Sequence, residues 1–199
     1  METTYNFILL FLLVLTGAAL VLVTRAERAL GVLAAQYFLL TLFLAQIVAL
    51  PVAMVRVISG SLVALIFLVT IRHLTSSTAP RGAPNHAFRL IALALVAVCV
   101  ASITSSIPFL NLPNHIFFGT VWLVALGLLI SILARQMLAF GIGILVFTAG
   151  FGILQMAMEG SLFLYGLLNI ADVFIALVIA HLVLLPPIVQ GGRRRGESL

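Results

Sequence analysis

Lysine does not occur in this sequence, cysteine and tryptophan occur once each, and only five residues are acidic. Each scarcity removes a class of protein. With 8% of residues charged against 64% hydrophobic, and a mean hydropathy of +1.33, the chain cannot clothe a soluble domain in a charged surface. The lone Cys99 has no partner for a disulfide or a thiolate cluster. His73, His86, His115 and His181 never fall at ligand spacing such as H-x-x-x-H, so a metal site is rejected. No P-loop, nucleophile elbow, dinucleotide fingerprint or cysteine cluster is present, which leaves no sign of a bound cofactor or of covalent catalysis by this chain alone.

What is abundant is apolar sequence. Runs of bilayer-spanning length, about 20 residues, follow one another over roughly 5–23, 30–50, 52–71, 88–107, 115–133, 138–157 and 162–185. The expected fold is therefore all-α: a polytopic membrane bundle of about seven helices. One integral membrane domain covers 1–190, and a basic tail follows over 191–199. The first run lacks a basic leader and a small-residue cleavage pattern, so it reads as a retained helix and not as a signal peptide.

The ten basic residues are all arginine. Arg25 and Arg28 follow helix one, and Arg72, Arg81 and Arg89 surround the polar loop that runs from His73 to His86. Arg135 follows helix five and Arg193 to Arg195 follow helix seven. With seven spans these fall on one face, which the positive-inside rule makes cytoplasmic, with the N-terminus outside and the C-terminus inside. A net charge of +5 is then explained by topology and anionic lipid headgroups, and nucleic acid is not expected as a partner. The polar loop and the turn from Pro108 to Pro113 set helix four apart from two triplets. Arg25 with Gly31 and Arg135 with Gly141 share one offset, which hints at a weak parallel three-helix repeat.

Asp172 is the one carboxylate deep in an apolar run. It falls about ten residues into helix seven, near the bilayer midplane. Such an aspartate costs at least about 2.5–3.5 kcal/mol to insert, so it is expected to face protein or water, find a partner, or take up a proton. Asn169 lies one turn before it on the same face, beside the small Ala176. Two uses remain open: a proton-relay or ion-path carboxylate, or a hydrogen-bonded residue that fixes helix packing. Gln36 and His181 are placed to flank a polar track entering from the cytoplasmic side. Arg56 is the one basic residue away from that side. Its stem can reach lipid phosphate, or it can pair with a carboxylate, either Glu159 near the same face or one on another subunit; Asp172 is expected to lie too deep for it. Gln46, Gln155, Thr148 and Tyr165 read as interhelical glue. Gly141, Gly143, Gly150 and Gly152 make helix six a close-packing element.

Four short stretches also carry a resemblance: Ala34-Ala35-Gln36, the turn-rich loop after helix three, Leu133-Ala134-Arg135-Gln136, and Ala171-Asp172-Val173-Phe174. On these the chain resembles membrane component E of hydrogenase-4 and formate-hydrogenlyase complexes. The C-terminal part of that family is similar to subunit K of NADH-quinone oxidoreductase and of Mrp-type antiporters. The resemblance implies a small, cofactor-free subunit in the membrane arm of a complex I-like or group 4 hydrogenase-like proton- or ion-translocating complex. It would pack beside an antiporter-like subunit in the cytoplasmic membrane of a bacterium or archaeon. Family members carry a glutamate in helix six, where this chain has Val146 to Gly150 with no carboxylate. That departure leaves Asp172 as the deep acid and gives weight to a scaffold or sealing role. The alternative expectation is an independent small transporter or channel running past Gln36, Asn169, Asp172 and His181.

Overall fold

In lipid every backbone N–H and C=O must be satisfied within the chain, so apolar runs of this length have the helix as their one local solution. The computed structural model describes residues 2–23, 26–74, 86–106 and 113–185, and among these it contains seven α-helices and no strand. They are α1 (Glu2–Leu22), α2 (Ala26–Leu44), α3 (Leu50–Leu74), α4 (His86–Ser106), α5 (Asn114–Leu133), α6 (Met137–Glu159) and α7 (Leu162–Leu184). All seven are long and apolar enough to cross a membrane; at 1.5 Å per residue they span about 28–38 Å, against a hydrocarbon core of about 30 Å. The protein is a multi-pass membrane helix bundle.

The connections follow local chemistry. Gly160 closes α6 in the left-handed region at φ 62°, its N–H donating to the Met156 carbonyl, a conformation glycine adopts without a Cβ penalty. Ser161 then caps α7 by accepting the Leu164 N–H at 3.4 Å. The largest departure from the expected boundaries is α2, which runs 26–44 where hydropathy suggested 30–50. Ala45 to Ala49, apolar but for Gln46, form a turn, not helix, and Pro51 sits in the first turn of α3, where its missing N–H has no helical partner to lose.

Six helices form two rows. α1, α2 and α3 lie in order beside α5, α6 and α7, and α1 touches α5, α2 touches α6, and α3 touches α7. α4 stands outside, against α5 and α1, with Val100 as its one fully buried residue. The rows run in the same order, whereas a two-fold axis along the bundle would set α1 against α7. The glycines that suggested a repeat also differ in use: Gly31 has open space around it, while Gly141 is pressed against the Ile179 side chain. The tightest seam joins α5 to α6, where a Cβ at Gly127 would collide with the Phe147 backbone and one at Gly143 with Ser131.

One end of the bundle is formed by the starts of α3, α5 and α7 and the close of α6; it is called here the Glu159 end. Arg28, Arg72, Arg89 and Arg135 all lie at the opposite end. Arg25, Arg81, Arg193 to Arg195, the loop over 75–85 and the basic tail fall outside the described residues.

Candidate functional site

Asp172 and Arg56 meet inside the bundle. Arg56 Nη1 donates to Asp172 Oδ2 at 2.8 Å, joining α3 to α7. The residues are 0% and 3% exposed, so the pair is enclosed by protein and not shared with the surface. The expected pairing of Arg56 with Glu159 is not what forms. Glu159 is exposed and, among the described residues, accepts only a long 3.5 Å contact from Gln155 Nε2. Nor does Asp172 lie beyond the reach of Arg56. Ser59 Oγ donates to Asn169 Oδ1 at 2.8 Å, which sets those residues level. Arg56 and Asp172 then sit three residues to either side of that level, about 9 Å apart along the axis. The long arginine arm covers that distance by lying along α3.

The rest of the centre holds the two charges. Arg56 Nη1 also donates to Asn169 Oδ1 at 3.2 Å, and the guanidinium carbon lies 4.9 Å from the Tyr37 ring centroid, a cation–π distance. Asp172 Oδ1 accepts from Thr148 Oγ1 on α6 at 2.5 Å, a short charge-assisted bond. Asn169 Nδ2 donates to the Tyr165 carbonyl at 2.8 Å, which turns its Oδ1 toward α3. Helical spacing explains the convergence: Arg56 with Ser59 and Asn169 with Asp172 are each i, i+3 pairs on one face. Gly60 lets Tyr37 lie flat against α3, since a Cβ there would strike its ring.

Of the residues expected to share a polar track, Asp172 and Asn169 come together while Gln36 and His181 stand apart. Gln36 is buried on another face of α2, its amide near Trp122 Nε1 around Gly17 of α1. His181 is exposed near the far end of α7. Tyr37 and Ser59 were not anticipated, and Thr148 was read as packing glue. A signal existed for two of them: Ser59 lies one turn from Arg56, and Thr148 is the polar residue in the middle of α6. Tyr37 had none beyond its place next to Gln36.

Several buried polar atoms at the site have no hydrogen-bond partner among the described residues: Arg56 Nη2, Tyr37 Oη and Tyr165 Oη. Chemically the centre is a desolvated charge pair with spare donors. It can hold a charge balance inside the bilayer and exchange partners within a small polar volume. Among the described residues no group of three or more histidine, cysteine or acidic side chains is placed to hold a metal ion.

No protein family, curated protein or solved structure matches this chain. Its function must therefore be argued from the centre itself.

Proposed function

We propose that this protein is a small accessory subunit in the membrane arm of a complex I-like or group 4 hydrogenase-like proton- or ion-translocating complex. In this reading it packs beside an antiporter-like subunit in the cytoplasmic membrane of a bacterium or archaeon, with its arginine-rich end inside. Its own contribution is to support or seal the ion path.

The observation that carries the reading is the enclosed Arg56–Asp172 pair at the junction of α3, α6 and α7. Intramembrane charges are costly and are kept where charge movement or its containment is the task. A pair that is hydrogen-bonded on both sides and shut away from the surface suits a subunit that answers to a neighbouring charge. A stand-alone carrier needs an open polar cavity for its substrate. The cleft of about 380 Å³ that the described residues form between α6 and α7 is not of that kind, being lined by Met137, Phe140, Ile144, Phe174, Val178, Leu182 and other apolar side chains.

Purification of the full chain in mild detergent, with identification of what co-migrates, tests the proposal. The expected result is recovery with large antiporter-like and hydrogenase-like subunits, and reduced coupled transport by the assembled complex carrying Asp172→Asn. Recovery of a lone polypeptide that transports ions or solutes in liposomes would overturn it.

A further inference from the structure

The seam between α6 and α7 changes character at Asp172. Toward the Glu159 end, α6 presents Thr148, Gly152, Gln155 and Glu159 at helical spacing, and α7 answers with Asp172, Asn169, Tyr165 and Ser161. Toward the other end the same two faces carry Leu145, Gly141 and Leu138 against Ala176, Ile179 and Val183, with Gly141 closed on Ile179. One half of the seam is polar and the other is apolar.

Two independent observations mark the polar half as a place for water. The first is a set of unpartnered buried atoms. Gln155 Oε1, Tyr165 Oη, Tyr37 Oη and Arg56 Nη2 lack hydrogen-bond partners among the described residues; Gln155 and Tyr165 stand between Asp172 and the Glu159 end, while the Arg56 guanidinium meets Asp172 itself. The Tyr165 hydroxyl lies beside the Asn169 side chain without a bond of acceptable geometry. Buried polar groups that find no protein partner are ordinarily satisfied by ordered water with two to four polar neighbours. The second is room. Gly152 is buried, yet a Cβ there would make only an ordinary contact, 3.9 Å to Leu168 Cδ1, which leaves a notch of about the size of one methyl group or one water. Gly127, Gly141, Gly143 and Gly150 are by contrast blocked by neighbouring atoms.

We propose that the α6–α7 seam holds a chain of buried waters that gives the Arg56–Asp172 centre access to the Glu159 end of the bundle alone. On the other side the seam is apolar: Leu145 and Ala176 are fully buried, and the cleft beyond them is lined by hydrocarbon alone. The centre is then reached from one face only, and a proton or hydroxylic solute would come and go along Glu159, Gln155, Gly152 and Asn169. This property belongs to the chain itself, whatever assembly it serves.

Radiolytic hydroxyl-radical footprinting of the full wild-type chain in nanodiscs tests it, because radicals made from buried water mark side chains in contact with that water. Tyr37 and Tyr165 are expected to be modified at least severalfold more than Phe43 and Phe67, which are comparably buried. Modification of the two tyrosines at the level of the two phenylalanines overturns the proposal. A Gly152→Leu variant fills the notch and is expected to reduce Tyr165 modification severalfold; unchanged modification in a chain that elutes and melts like wild type overturns the α6–α7 route. Failure of either arm leaves the membership of a larger complex untouched, since the readout is water and not assembly or turnover.

Discussion

Removing either half of the Arg56–Asp172 pair is expected to be more damaging than removing both. Without Asp172, Arg56 keeps the 3.2 Å bond to Asn169 and the Tyr37 ring, while Nη2 has no partner, so a full positive charge is left buried. Without Arg56, the Asp172 carboxylate keeps only the Thr148 hydroxyl. Breaking a buried pair from one side costs about 3–5 kcal/mol, while replacing both partners by apolar residues is often neutral or stabilising. Arg56→Met and Asp172→Val should each lower the melting temperature by about 6–20 °C, taking about 2–4 °C per kcal/mol for a chain of this size. The double variant should recover most of the loss. In it Ser59 still donates to Asn169 and Thr148 turns to the Leu145 carbonyl, 3.1 Å away. Thermal unfolding of the four proteins in one detergent gives the coupling directly. A double variant as unstable as the sum of the singles, or singles within about 1 kcal/mol of wild type, would refute the argument that these charges balance each other.

Four further outcomes follow from packing and hydrogen bonding. Thr148→Val removes the hydroxyl that Asp172 accepts and should cost about 1.5–3 kcal/mol, as for a bond to a charged group, read from the same melting curves. Gly127→Ala puts a methyl against the Phe147 backbone and should destabilise by about 1–3 kcal/mol as overpacking. Gly31→Ala, with open space around it, should stabilise by up to about 1 kcal/mol through helix propensity; an equal response at both sites would remove the distinction drawn between them. Gly160→Ala, at φ 62°, should cost about 1–2 kcal/mol as a left-handed non-glycine residue, and a loss confined to the α6–α7 turn would appear as faster amide exchange there.

Composition made the helices legible because a lipid solvent leaves the chain few choices. Number, order and most boundaries follow from where apolar runs stop. The exception, α2, shows the limit: hydropathy cannot tell an apolar turn from helix, so Ala45 to Ala49 were absorbed into the span while Glu27 and Arg28 were left out. Asp172 was legible for the same reason that helices are, since a charge in oil is conspicuous. Its partner was not. The axial separation of Arg56 and Asp172 could be counted from the sequence, but the direction in which the arginine arm lies is set by Ser59, Tyr37 and Asn169, which belong to three helices. The split seam was available in the spacing of Thr148, Gly152, Gln155 and Glu159, but spacing on one helix acquires meaning only when the facing helix is known.

Helix α6 joins the two halves of this reading. Along one face its glycines bring backbones together: Gly143 and Gly150 close on α5, where Ser131 and Val124 leave no space for a side chain. Along the face turned to α7, Gly152 leaves a notch of about methyl size at the level between Gln155 and Thr148, bounded by Leu168. One residue type therefore clamps α6 on one side and makes room on the other, with the neighbour deciding which. Clamping fixes Thr148, and Thr148 fixes one oxygen of Asp172. The acid is thus held on both oxygens, by Thr148 and by Arg56. The groups whose bonds are incomplete among the described residues are the far end of the Arg56 side chain, at Nη2, and the two tyrosine hydroxyls, and the spare hydrogen-bonding capacity of the centre lies with them.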